Sequence, residues 1–194
     1  MSKAVLISIR PKWCELIANG KKTIEVRKTR PRLEPPFKCY IYCTKPSKRH
    51  QTICGCMVLN DDELFRHPRE GIKYGDSIEL MCEDDYSADN FLNGKVIGEF
   101  ICDDIFKICL TDEGYDFDTP KMTCLKYEEM EAYLDRKNGY GWHISDLIIY
   151  DEPKKLGEFK RHDPTYDFSI FGEVSRTYSI NRPPQSWCYV EQEG

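Results

Sequence analysis

The stretch Asn19-Gly20-Lys21-Lys22-Thr23-Ile24-Glu25-Val26-Arg27 decides the fold around it. Asn19-Gly20 is typical of a chain reversal, because glycine adopts left-handed backbone conformations without steric cost. The following residues predict a strand, with Ile24 and Val26 on the face that enters the core. Glu25 and Arg27 then lie on the opposite face, and we expect them to point away from that core, at a surface or a cleft.

Three charges in this stretch, Lys22, Glu25 and Arg27, allow two interpretations. They can line one cleft and bind a ligand. Alternatively, Glu25 and Arg27 can form a salt bridge along an exposed strand. Exposed pairs of that kind contribute only ~0–1 kcal/mol, so the fold would not depend on them. The sequence favours the ligand site and leaves the alternative open.

The segments on either side predict an α+β fold. Residues 5–9 are apolar and β-branched and predict a strand, and residues 11–18 predict a short helix that begins at a proline. Strands are also predicted at 22–28, 37–44, 52–59, 77–82, 95–108 (bent at Gly98) and 141–150, with a helix at 126–136 and a last strand fed by the loop that starts at 183. Residues 161–180 show no regular pattern. Six to seven strands and two helices without βαβ alternation indicate an antiparallel or mixed β-barrel with flanking short helices.

The composition describes a soluble globular protein. The chain has 194 residues, of which 40% are hydrophobic and 31% charged, so one domain with a real core is expected. No apolar run approaches the ~20 residues that span a bilayer, and the apolar start is too short for a signal peptide. We therefore expect a cytoplasmic protein without a membrane partner.

Ten cysteines are a high count for such a chain. Without a secretion signal they are expected to be free thiols, most of them small buried hydrophobes. A zinc site is the alternative, since Cys39 and Cys43 have a ligand-like spacing, but there is no C-x-x-C pair. We expect neither a metal nor a cofactor.

Charge is unevenly distributed along the chain. Residues 10–50 contain twelve Lys or Arg and three Asp or Glu, although the whole chain has a net charge of −5. This asymmetry suggests a basic face on an acidic body, which suits nucleic acid. Mutual neutralisation of the two parts on folding is the alternative.

The order strand, short helix, Gly-x-Lys-x-x-Glu-x-Arg, strand resembles the ASCH domain, a branch of the PUA-like superfamily. The motif residues are Gly20, Lys22, Glu25 and Arg27, and the lead-in 8–11 is similar as well. The resemblance is firmest over residues 4–44 and extends to ASCH proteins of bacterial phages and prophages. It implies a single PUA-like domain over residues 1–194, with insertions at about 45–93 and 160–182. It also implies binding of RNA or a modified nucleotide.

The residue chemistry is compatible with that implication. Arginine binds phosphate bidentately, a carboxylate accepts from a base amine, and aromatic rings stack on unpaired bases. For Trp142, His143 and Trp187 the alternative is packing in the core or at its rim. The candidate binding residues are Ser8, Arg10, Lys22, Glu25, Arg27, Trp142, His143, Gln185, Ser186 and Trp187.

Two further hypotheses remain. One ASCH branch resembles amidohydrolases that deacylate a modified cytidine with a lysine, a threonine and a glutamate, and another resembles ribonucleases. Lys22 and Glu25 would be catalytic in either case. The family threonine falls at Glu25 in this chain, and Thr23, two residues away on the same strand face, is a possible substitute.

The other hypothesis is a protein partner bound through the two insertions.

Overall fold

The strands and helices of the chain follow the predicted order with some breaks. A computed structural model describes residues 3–45, 50–52, 77–79, 92–111, 114–115, 120–169 and 172–192, and side chains within 3–45, 92–111, 114–115, 122–161 and 177–192. The elements are β1 (Lys3–Ile9), α1 (Pro11–Ala18), β2 (Ile24–Arg27), β3 (Phe37–Cys43), β4 (His50–Thr52), β5 (Ser77–Glu79), β6 (Lys95–Cys102), β7 (Ile105–Ile108), β8 (Leu110–Thr111), β9 (Gly114–Tyr115), α2 (Pro120–Thr123), α3 (Tyr127–Leu134), β10 (Gly139–His143), β11 (Ser145–Lys155), a 3-10 turn (Leu156–Glu158), β12 (Lys160–Ser169), β13 (Gly172–Ser179) and β14 (Trp187–Glu191).

Two sheets organise these elements. Five strands pair in the order β11-β6-β3-β1-β14, and three pair in the order β2-β10-β7. β1 and β3 run parallel, whereas the other pairs of both sheets are antiparallel. The α+β class with a mixed sheet is therefore confirmed. None of the helices in the described ranges is long and apolar enough to cross a membrane.

The main core lies on one face of the five-stranded sheet. Ile7 of β1 and Ile41 of β3 are fully buried there and share a cluster with Trp142 from the three-stranded sheet. The opposite face carries a second cluster, in which Leu6 and Tyr40 pack with Phe159. Both faces of the larger sheet are thus covered, which explains the near-continuous burial of β1 and β3.

Strand β2 is likewise covered on both faces. Val26 packs against Met130 and Leu134 of α3. The other face of β2 carries Glu25, which pairs with Trp142 across the strands and so shares the face of a main-core residue. Every residue of β2 is buried as a result. The prediction that Val26 enters a core is right, but Glu25 and Arg27 do not point to an open surface.

Two predicted strands are each divided into two. The strand predicted at 95–108 breaks after Cys102, because β6 belongs to the larger sheet and β7 to the smaller one. The strand predicted at 141–150 breaks at Ile144 for the same reason, since β10 and β11 lie in different sheets. Gly98, where a bend was predicted, lies at a register irregularity in the pairing of β6 with β3 and β11, and it also marks a close approach of β6 to β11.

Other predicted elements have mixed outcomes. The helix at 11–18 and the left-handed Gly20, with φ of 66°, are confirmed. Residues 161–180, for which no regular pattern was found, contain most of the antiparallel hairpin β12–β13. The strands predicted at 52–59 and 77–82 lie for the most part outside the described residues, of which only 50–52 and 77–79 are strand.

Candidate functional site

Lys22 is positioned by the end of α1. The amides of Lys21 and Lys22 both donate to the carbonyl of Leu16 at 2.9 Å, which turns the chain back under the helix. The Lys22 ammonium then donates to the carbonyls of Ile24 at 2.8 Å and Thr123 at 2.7 Å. Its side chain is 2% exposed. Local hydrogen bonding therefore holds a cation inside the protein.

Glu25 lies between the two cations of the motif. One carboxylate oxygen, Oε2, is 3.4 Å from Lys22 Nζ, and the other, Oε1, is 3.0 Å from Arg27 Nη2. The side chains of Glu25 and Arg27 are 8% and 7% exposed. We call Lys22, Glu25 and Arg27 the ion cluster. Its net charge is positive, and each member has an ionic neighbour.

Arg27 ties the ion cluster to the larger sheet and to the loop before β14. Its Nη2 donates to the carbonyl of Ser8 at 2.6 Å, and its Nη1 to Ser186 Oγ at 3.4 Å. The Ser8 hydroxyl in turn donates to the carbonyl of Pro184 at 2.7 Å. Five of the ten candidate residues, the ion cluster with Ser8 and Ser186, are thus brought together.

Two buried donors at this place have no acceptor. Among the described side chains, Nε of Arg27 and Nε1 of Trp142 are buried and lack a hydrogen-bond partner. Arg27 and Trp142 lie on the same face of adjacent strands, because Glu25 pairs with Trp142 and Tyr140 with Arg27. Leaving a buried donor without a partner costs about 1–3 kcal/mol. A polar acceptor is therefore the natural complement of this face.

The two tryptophans form an aromatic wall behind the ion cluster. Trp142 is fully buried, with ring centroids 6.1 Å from Phe37 and 6.0 Å from Trp187. Trp187 is partly buried, and its Nε1 donates to Thr29 Oγ1 at 3.0 Å. Trp142 is therefore a core-packing residue, the alternative to base stacking considered from the sequence, because its ring has no exposed face.

The remaining candidates lie outside the ion cluster. His143 follows Trp142 on β10, so its side chain lies on the opposite face, where Nδ1 is 2.6 Å from Asp103 Oδ1. Arg10 is exposed and precedes α1, and Gln185 is exposed in the loop before β14. His143 is therefore not part of the same arrangement, whereas Arg10 and Gln185 stay candidates for its rim.

Tyr133 of α3 is a residue that the sequence did not single out. Burial raises the pKa of its phenol, and the negative charge of Glu25 raises it further. The positive charges of Arg27 and Arg10 and a hydrogen bond to Arg27 act in the opposite direction, but the pKa stays above its usual value. Its ring lies 5.6 Å from Lys28 Nζ, and the residue is 37% exposed. Tyr133 therefore stands between the ion cluster and solvent. Helical periodicity selected Tyr127, Met130 and Leu134 of α3 and gave no signal for this position.

The cysteines do not form a metal centre in the part of the chain that is described. No group of three His, Cys, Asp or Glu residues there has ligand geometry. Cys39 and Cys43 are buried in the main core together with Cys102. Burial raises the pKa of Cys39 well above its usual value. These thiols are small hydrophobic core residues.

Comparisons with known proteins agree on one family. A family model described as the ASCH domain matches residues 7–105, which are 99 of the 194 residues. Crystal structures of two mutants of ZmASCH from Zymomonas mobilis are similar to this chain, each at 16% identity. For the first mutant the TM-score is 0.53, and the alignment covers 98% of this chain and 92% of the ZmASCH chain. For the second the TM-score is 0.52, and the alignment covers 97% of this chain and 89% of the ZmASCH chain. At that identity they establish the fold alone. No curated protein matches the sequence.

Proposed function

Because the chain belongs to the ASCH domain family, we propose that it binds RNA or a modified nucleotide in a cleft that leads to the ion cluster. The PUA-like fold is often linked to RNA binding. The ligand's polar groups contact the cluster, and its backbone contacts the basic rim. No cofactor is needed for this role.

The burial of the ion cluster carries the proposal. Three ionised side chains, each no more than 8% exposed, are joined by ionic contacts of 3.0 and 3.4 Å. A buried ionic group of this kind contributes little to the stability of the fold, because apolar residues of similar volume often stabilise a fold as well or better. Arg27 also keeps one buried N–H without a partner among the described residues. A ligand that supplies acceptors explains why these charges are present.

The rim supplies the features that single-stranded nucleic acid requires. Arg10 and Lys28 are exposed cations, and both interact with the partly exposed Tyr133. Cations of this kind bind backbone phosphates, and an aromatic ring provides a stacking face for an unpaired base. Tyr133 rather than Trp142 takes the stacking role. Gln185 adds an exposed amide on the loop that also carries Ser186.

Glu25 gives the site its preference for a base over a bare phosphate. A carboxylate has about four acceptor positions on its two oxygens, and the two ionic contacts leave capacity for a further donor. An exocyclic amine of a base is such a donor. A site for a simple anion would not place a carboxylate beside its cations.

Binding to RNA tests the proposal directly. Fluorescence anisotropy with a labelled single-stranded RNA compares the parent chain with Arg10→Ala and Lys28→Ala, at several salt concentrations. Each variant is expected to weaken binding and to lower the salt slope by about 0.7 for each lost phosphate contact. Lys155→Ala, an exposed lysine of β11, is the matched control. Equal binding by the rim variants and the parent contradicts the proposal.

A hydrolase is the second candidate, favoured by one observation. Lys22 Nζ and Glu25 Oε2 are 3.4 Å apart in a site largely closed to water, as in an acid–base pair. Against it, the Lys22 ammonium already donates to two carbonyls. Turnover of an N4-acylated cytidine or of an RNA oligomer, lost in Glu25→Gln, would establish this activity. Binding without turnover leaves the chain as a binding module.

The domain boundaries and partners belong to the same proposal. Residues 1–194 form a single domain, in which 45–93 and 160–182 are insertions that can engage a protein partner. A cytoplasmic location is part of the proposal. Deleting residues 61–91, which leaves the core residue Leu92 in place, should then abolish partner capture and leave RNA binding intact; loss of both would show that the segment belongs to the domain itself.

A further inference from the structure

We propose that a cavity on the other face of the five-stranded sheet is a second ligand site, for a small organic anion. The cavity has a volume of about 410 Å³, and its polar lining consists of Tyr42, Thr44, Lys45 and Asn181. Tyr42 belongs to the core cluster on the face opposite Trp142. The site is therefore distinct from the ion cluster.

The polar groups of the cavity wall are unused. Within the described part of the chain, Tyr42 and Thr44 hydroxyls, the Lys45 ammonium and the Asn181 amide have no hydrogen-bond or ion-pair partner. Tyr42 is only 3% exposed. These four polar groups, with Thr44 half-buried and Lys45 and Asn181 exposed, surround one cavity and can bind a single ligand together.

The charge of the cavity selects an anion. Lys45 is the one charged residue in the lining, and no carboxylate faces it there among the described residues. Gly94 fixes the course of the lysine side chain: a Cβ at this glycine would lie 2.5 Å from Lys45 Cε, and its φ of +83° disfavours other residues. The glycine thus lets the aliphatic part of Lys45 lie against the wall, with the ammonium available to the cavity.

The remaining lining defines the size and body of the ligand. Leu156 and Pro183 give the cavity an apolar wall, and the Tyr42 ring adds an aromatic one. The volume lies in the range of pockets that hold small molecules, ~300–1,000 Å³. A carboxylate or phosphate monoester on a compact, partly apolar body satisfies Lys45 and the three neutral polar groups at once.

Calorimetric titration with three probes tests this assignment. Benzoate, uridine monophosphate and inorganic phosphate are titrated into the full chain. At least one organic anion is expected to bind more tightly than inorganic phosphate. Lys45→Met should weaken that probe about tenfold, and Tyr42→Phe or Asn181→Ala about threefold, for loss of a charged and a neutral hydrogen bond respectively. Lys107→Met, an exposed lysine of β7, is the control and should change nothing.

Several outcomes overturn the proposal. It fails if none of the three probes binds at millimolar concentration, or if Lys45→Met and Tyr42→Phe bind as the parent does. It also fails if Arg10→Ala weakens the probe and Lys45→Met does not, because the anion then sits at the rim of the ion cluster. Lys45 is exposed and Tyr42→Phe preserves the ring, so both variants are expected to fold.

Discussion

Glu25 Oε1 lies 3.0 Å from Arg27 Nη2, and neither side chain is more than 8% exposed. The pair is completed by Lys22, 3.4 Å from the other carboxylate oxygen. A carboxylate between two cations in a buried place stabilises both of them. Removing its charge leaves two buried positive charges whose remaining partners are neutral.

Glu25→Gln is therefore expected to destabilise the chain by about 3 kcal/mol, because breaking a buried ionic group leaves uncompensated charge. The free energy of unfolding in urea measures this change. Glu34→Gln is the matched control: Glu34 is 86% exposed and 3.4 Å from Arg30, so its loss should change stability by less than about 0.5 kcal/mol. Equal effects of the two substitutions would show that the ion cluster is not energetically coupled.

The sequence predicted which residues of β2 share a face, but not that both faces are covered. Alternation follows from strand geometry and correctly separates Glu25 and Arg27 from Val26. Coverage depends on what packs against each face, here α3 on one side and the larger sheet on the other. That information lies largely in residues distant along the chain, so a local pattern cannot contain it.

The same limit explains the remaining site residues. The motif Lys22, Glu25 and Arg27 was visible because its spacing is local. Tyr133 was not, because its relation to Arg27 arises only when α3 packs on β2. His143 was grouped with Trp142 from its position in the chain, yet consecutive residues of a strand point to opposite faces.

Glu99 makes stability depend on pH. Burial alone would raise its pKa, but hydrogen bonds from Lys38 at 2.7 Å and Tyr150 at 2.5 Å outweigh burial, and the pKa lies below its usual 4.5. A lowered folded pKa means that this stabilisation is complete above pH 4.5 and is lost as the pH falls through the folded value. Near neutral pH, the free energy of unfolding of the parent should exceed that of Glu99→Gln by about 1–2 kcal/mol.

Urea unfolding at a series of pH values measures that difference, which should shrink as the medium is acidified below pH 4.5. Lys38 and Glu99 are 20% and 16% exposed, so solvent screening is limited. A gap that stays constant across the series would mean that the carboxylate of Glu99 titrates alike in the folded and unfolded chain.

Gly98 holds β6 against β11. A Cβ at this position would lie 2.4 Å from the carbonyl oxygen of Ile148, a backbone atom that cannot rotate away. Gly98→Ala should therefore cost at least about 2 kcal/mol through forced separation of the strands. Gly157→Ala is the matched control, since a Cβ there would meet nothing within 4 Å, and its effect should stay within about 0.5 kcal/mol. Urea unfolding compares them, and similar stabilities would refute the close approach.

The thiols should differ sharply in reactivity. Cys109 and Cys124 are partly exposed, whereas Cys39 and Cys102 are buried. Burial raises the pKa of Cys39. Burial and the charges of Asp103 and Asp104 raise the pKa of Cys102 to about 12. Little reactive thiolate therefore forms at either residue. Iodoacetamide at about pH 8, followed by peptide mapping, should label the exposed pair at least roughly tenfold faster, because the buried pair reacts only after local opening. Denaturation in urea should remove the difference. Fast native labelling of Cys39 would mean that the main core opens readily and that this thiol is not a packed core residue.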